Sequence, residues 1–162
     1  NWLGSHNELQ NNMKDTIERM GGKGLSKAEL VSLEKFLHVG LLPPPNPRAG
    51  QPLSEAEARG KALFFDTRIG CSSCHVGATG TDGRLHDVGT ASDTDAAVAM
   101  LHGNMGKVKF NTPSLRGLFA TAPYLHDGTA TLNEVLNRTS GTMGGITTVA
   151  ERADLVAYML TL

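Results

Sequence analysis

The sequence predicts an all-α chain with long loops, on three observations. Apolar residues recur at helical spacing in several segments, those segments carry start signals, and no run alternates apolar and polar residues as a strand would. The 162 residues suit one full domain and part of another, and 19 of them are Gly, which makes long connections plausible. In order, Met20-Gly21-Gly22 precedes a helix over Ser26–Leu37. Leu41-Leu42-Pro43-Pro44-Pro45-Asn46-Pro47 then reads as a semi-rigid connector, because Pro cannot continue a helix. This divides the chain into residues 1–40, a linker at 41–51 and a main domain at 52–162.

The main domain opens with a helix over Ser54–Phe65. Ser54 is its N-cap, Glu55 and Glu57 suit the dipole of the first turn, and Gly60, Leu63 and Phe64 share a face. Val76–Gly89 reads as loop and Asp93–Leu101 as a short helix. The run from Phe110 to Arg116 starts extended, because Pro113 disfavours helix for the residue before it. Thr131 and Glu134 form a capping box for a helix over Thr131–Arg138. The last helix covers Val149–Leu162, with Ala153, Val156, Ala157 and Leu160 on one face and Tyr158 beside it.

Cys71-Ser72-Ser73-Cys74-His75 carries the chemistry. C-x-x-C-H is the attachment signature of c-type haem: two thiols add to the haem vinyl groups, and the adjoining imidazole binds the iron. A thioredoxin-like pair would want a βαβ setting, and a zinc site would want further Cys ligands, whereas the chain has two Cys in all. The expectation is one covalent haem c. At 5% the aromatic content is lean for a core of protein alone, and a buried porphyrin would supply apolar area. A net charge of −1 gives no footing for nucleic acid or a charged membrane surface, and no stretch is apolar enough to span a bilayer. Haem is attached in this way outside the cytoplasm. A periplasmic or extracytoplasmic bacterial location is therefore expected, with a targeting segment upstream of Asn1.

His75 supplies one axial ligand. For the other, the candidates are Met100, Met105, Met143, Met159, His86, His102, His126 and Tyr124. Met159 and Met100 lie within helical segments and read as packing. Met143 sits in a Gly-rich loop before the last helix, where a thioether could swing over a haem face. It also recurs: Met20-Gly21-Gly22 and Met143-Gly144-Gly145 each stand 17 residues before a helical Leu, Leu37 and Leu160. Trp2-Leu3 stands 18 residues before Met20, and Tyr124-Leu125 stands 19 before Met143. The repeat makes residues 1–40 the C-terminal remnant of a preceding domain of the same kind, with Met20 the matching ligand of that domain's haem. The chain is thus expected to be part of a longer two-haem protein.

The runs Gly83-Arg84-Leu85-His86-Asp87-Val88-Gly89-Thr90, Thr112-Pro113-Ser114-Leu115-Arg116-Gly117, Ala122-Pro123-Tyr124-Leu125-His126-Asp127-Gly128 and Thr131-Leu132-Asn133-Glu134-Val135 carry a family likeness. In this order they resemble the C-terminal haem domain of bacterial di-haem cytochrome c peroxidases and their methylamine-utilisation relatives, over about residues 52–162. The resemblance implies a cytochrome c-like domain whose first and last helices cross at Gly and aromatic residues. It implies that Arg116, assisted by Arg84, bonds a haem propionate, and that Tyr124 and His126 line the haem, a Tyr being an iron ligand in one branch. It further implies a calcium site at the carbonyls near Thr112 and Pro113, and a fused or adjacent haem domain or redox protein as partner. Two functions follow as expectations. The first is electron transfer with His75/Met143 ligation. The alternative is a peroxidase-family enzyme that reacts with hydrogen peroxide or oxidises a partner.

Overall fold

The computed structural model describes residues 8–42, 44–101, 106–138, 143 and 147–162. Trp2-Leu3, His102, Met105 and the Gly144-Gly145 half of the repeat lie outside them. The described chain forms two compact units, and the second begins at Pro44.

The first unit is a helix pair, α1 (Leu9–Arg19) and α2 (Lys27–Val39). The helix α1 was not expected, for its start has no side-chain cap and its one buried residue is Met13. Met20 is its C-cap and is 81% exposed. Helix α2 starts on a full capping box: Glu29 N–H donates to Ser26 Oγ, and Glu29 Oε2 accepts from Ser26 N–H at 2.8 Å. It has no buried residue. Gln10 Nε2 donates to Glu34 Oε2 across the pair at 2.6 Å.

The second unit is built on α3 (Glu55–Phe64) and α6 (Val149–Met159). Between them come α4 (Asp93–Leu101) and α5 (Leu132–Leu136), together with a two-residue antiparallel ladder, β1 (Leu85–His86) with β2 (Phe110–Asn111). A pairing of that length is too short to show alternation in sequence, which is why no strand was expected. Among the described residues the fold is otherwise helix and loop.

Helix α3 crosses α6 at Gly60. A Cβ there would collide with the Asp154 carbonyl and stand 2.8 Å from Tyr158 Cβ, so Gly sets how closely the helices approach. Arg59 clamps the crossing by a two-pronged ion pair with Asp154, at 2.7 and 3.0 Å. The buried face of α6 is Leu155, Tyr158 and Met159, not the expected Ala153–Leu160 face; Ala153 and Leu160 are exposed. The larger side chains, at i, i+3 and i+4, fill the core with Phe64, Ile69, Leu115, Leu118, Leu132 and Leu136. Met159 packs as expected, whereas Met100 is 57% exposed and belongs to no core.

The connector is fixed to this unit from Asn46 onward. Asn46 Nδ2 donates to the Leu160 and Leu162 carbonyls at 3.0 and 3.2 Å, satisfying acceptors that the end of α6 leaves open. Arg48 grips Glu57 on α3 with bonds of 3.0 and 2.7 Å. That guanidinium, with the Ser54 N–H, pulls the Glu57 carboxyl down to about 2.

Candidate haem site

The attachment motif follows a left-handed Gly70 (φ +80°), which turns the chain from the core into a short 3-10 turn over Cys71–Ser73. His75 N–H donates to the Cys71 carbonyl at 3.1 Å, and Ser73 Oγ donates to the Gly70 carbonyl at 2.6 Å. One tight turn therefore presents two thiols and an imidazole together. Neither thiol is in a disulfide, and burial pushes the Cys71 thiol up.

The His75 ring is fixed by its own loop. Its Nδ1 lies 2.8 Å from the Gly80 carbonyl. A carbonyl only accepts, so Nδ1 carries the proton and Nε2 keeps a free lone pair, the form that binds a metal. Burial holds the imidazole below its ordinary range, against the pull of the Gly80 and Pro113 carbonyls.

Cys71, Cys74 and His75 lie in the wall of one cavity of about 400 Å³. The rest of that wall is mainly apolar, including Phe64, Leu115, Leu118, Leu132, Val135 and Leu136. Two free thiols and a metal-competent imidazole in one apolar cavity fit a covalently attached porphyrin. Met143 is in the same wall, as are His86, Arg116, Tyr124 and His126. Arg84 is not; its carbonyl accepts from Thr112 N–H at 3.0 Å.

No protein-family model matches the chain. Among curated proteins, hydrazine synthase subunit gamma of Kuenenia stuttgartiensis is 31% identical over 150 positions, covering 68% of this chain and 42% of that one. Cytochrome-c peroxidase IdrP2 of Pseudomonas sp. (strain SCT) is 31% identical over 144 positions, covering 65% and 39%. Methylamine utilization protein MauG of Methylophilus methylotrophus is 37% identical over 81 positions, covering 48% and 24%. The solved structure of the Kuenenia hydrazine synthase superposes with a TM-score of 0.65 at 27% identity, over 86% of this chain and 56% of that one. The chain belongs to the di-haem cytochrome c peroxidase and methylamine-utilisation superfamily. It spans about two-fifths of the length of the first two curated relatives, with 42% and 39% covered.

Membership supports haem as the group for this cavity and redox chemistry as its use. It also gives the superfamily runs a place. The run at 122–128 folds back on itself through a bridge between Tyr124 and Ala130. Leu125 at its tip is left-handed (φ +70°), a strained conformation for a branched side chain. Tyr124, Leu125 and His126 all face the cavity. The Tyr124 hydroxyl donates to the Leu118 carbonyl at 2.8 Å, and burial pushes the phenol up. His126 stacks on Phe110, with centroids 4.1 Å apart, and its Nε2 donates to Asp95 Oδ2 at 3.1 Å. Asp95 also accepts from Ser92, whose hydroxyl and N–H hold its carboxyl below the ordinary range. The Phe110 stack and the Asp95 tether were not foreseen. Both partners are distant in sequence, and no local pattern marks them.

His86 Nε2 is 2.7 Å from Asp82 Oδ2, and with Cys74 these atoms lie within 4.8 Å of one another. The set omits Cys71 and His75, so it does not account for the motif as a zinc site. The Thr112 carbonyl, expected to serve calcium, accepts from Thr81 Oγ1 at 2.7 Å. Arg116 is exposed and has no ion pair among the described residues, which leaves its guanidinium available to a propionate. No helix among the described residues is long and apolar enough to cross a membrane.

Proposed function

We propose that the second unit carries electrons through one haem c, bound covalently at Cys71 and Cys74, with His75 and Met143 as axial ligands. The observation that carries this reading is that His75 and Met143 line one apolar cavity. Haem supplies a one-electron couple when bound. The chain's residues set its environment: Gly80 fixes the tautomer and angle of His75, Met143 offers a thioether, which favours the reduced metal, and the apolar wall excludes water. Arg116 neutralises a propionate.

The same reading extends to the parent protein. Residues 1–40 are the end of a preceding domain of the same kind, with Met20 a ligand to its haem, and the parent is a di-haem redox protein outside the bacterial cytoplasm. What supports this is the shared spacing of Met20-Gly21-Gly22 to Leu37 and of Met143-Gly144-Gly145 to Leu160.

The test is the optical spectrum with intact mass. One covalent haem, six-coordinate low-spin iron and a sulfur-to-iron charge-transfer band that Met143→Ala abolishes are expected. A high-spin ferric spectrum in the wild type would sink the carrier reading and favour the second, an enzyme that reacts with hydrogen peroxide. What supports that alternative is His126 in the cavity wall, an imidazole hydrogen-bonded to Asp95 and able to move a proton.

A further inference from the structure

The carbonyl that orients His75 is itself held in place. Gly80 lies in the loop after the attachment turn, and its carbonyl accepts from His75 Nδ1–H at 2.8 Å. The residues on either side of Gly80 are tied to the run from Thr112 to Arg116 by two hydroxyls that mirror one another. From the loop, Thr81 Oγ1 donates to the Thr112 carbonyl at 2.7 Å. From the run, Ser114 Oγ donates to the Thr79 carbonyl at 2.6 Å. Each hydroxyl also accepts the backbone N–H two residues further on, Gly83 to Thr81 at 3.0 Å and Arg116 to Ser114 at 3.2 Å. A hydroxyl has one proton, and the accepted N–H leaves that proton aimed at the facing carbonyl.

The peptide between Gly80 and Thr81 has little freedom left. Its N–H donates to the Val76 carbonyl at 3.1 Å while its carbonyl takes His75. Gly80 lies close against Leu115, where a Cβ would stand 3.0 Å from Leu115 Cβ. Thr81 lines neither the haem cavity nor the groove beside it, so its hydroxyl reaches the haem site through Gly80. The two ties bracket the one carbonyl that His75 uses.

We propose that Thr81 and Ser114 are positioning residues for the iron ligand, holding the Gly80 carbonyl on His75 Nδ1–H and thereby biasing the iron toward its ferric state. The proposal rests on His75 ligation as read above. A carbonyl accepting from the far ring nitrogen makes the near one a stronger donor, and a stronger donor favours the more highly charged metal. Loosening the carbonyl favours ferrous iron.

The experiment uses the haem-loaded chain at equilibrium with one redox mediator couple of fixed ratio. Thr81→Val deletes the hydroxyl and should raise the ferrous-to-ferric ratio at least threefold. Exchange of the His75 Nδ1 proton with solvent deuterium, followed by its hyperfine-shifted NMR signal, should quicken. Thr81→Ser, which restores the hydroxyl, should bring both readouts within twofold of wild type. Thr161→Val is the control, because Thr161 Oγ1 also donates to a carbonyl at 2.7 Å, that of Tyr158, yet touches nothing on the loop. Its ratio should stay within twofold of wild type. If Thr81→Val takes up no haem, Ser114→Ala carries the test with the same direction and size. A rise of less than threefold, a fall, or an equal rise in Thr161→Val would overturn the proposal. Failure of the underlying reading looks different: the ferric wild type then shows no hyperfine-shifted imidazole N–H.

Discussion

Helices α2 and α6 start with the same device and finish in different surroundings. Each opens on a reciprocal capping box, Ser26 with Glu29 and Thr148 with Glu151. From there α6 buries Leu155 completely, with Tyr158 and Met159 beside it. Aligned on the caps, the α2 counterparts are Leu33, Phe36 and Leu37; none is buried, and Phe36 is 53% exposed. The difference is not in the helices, since both have the residues for a core-facing stripe. It lies in the partner: α6 has α3, with Gly60 at the crossing. Helix formation here is a local property, whereas burial is supplied by another element.

The largest effect should come from that crossing. Gly60→Ala puts a methyl group into the Asp154 carbonyl and is expected to cost about 3 kcal/mol, read as a fall in the urea midpoint at the haem band. Ser32→Ala, at the matching place on α2, should stay within about 0.5 kcal/mol. Next is the stripe itself. Leu155→Ala should lose roughly 2–5 kcal/mol of protection in hydrogen exchange of α6. Leu33→Ala should change protection of α2 by less than about 1 kcal/mol, and an equal loss would mean that α2 is packed as tightly as α6.

The caps should behave alike. Thr148→Ala and Ser26→Ala are each expected to cost about 1 kcal/mol in amide protection of their own helices. If only one did so, the shared device would not be the shared cause.

The smallest effect is one of slope. Arg48 and Ser54 hold the Glu57 carboxyl at about 2, below the ordinary 4.5. A lowered carboxyl contributes stability that is complete above about 4.5 and lost as pH falls toward about 2. Glu57→Gln should therefore flatten the acid limb of the urea-midpoint curve between pH 5 and 2.5. Glu29 is also lowered, by Ser26 without an arginine, so Glu29→Gln should flatten that limb less than Glu57→Gln does.

The pattern of success in the sequence follows the same division. Five helices were legible because their signals are local: Ser54 with Glu57, Thr131 with Glu134, and the stretches at Asp93–Leu101, Ser26–Leu37 and Val149 onward. The attachment site was legible for the same reason, its three groups being carried on one turn. The α6 face was misjudged because small residues at 153 and 157 mimic a stripe, and only the fit to Phe64 and Leu132 selects Leu155 and Met159. Helix α1 was missed for want of a cap. The Asp95–His126 tether, the Phe110 stack and the Asn46 clamp join residues far apart in the chain, so no window of sequence contains them.

Leu125 has a consequence for how this domain tolerates change. Its left-handed backbone costs about 1–2 kcal/mol relative to a residue at ease there, and its side chain offsets a similar amount by covering the cavity. Gly at this position would relieve the first and forfeit the second, so the two nearly cancel. A screen that scores folded yield would pass such a variant as neutral. The loss would surface elsewhere, as water reaching the haem between Tyr124 and His126. Positions where strain and cover offset one another are blind spots of stability selection, and they are where a redox protein can drift in potential without drifting in fold.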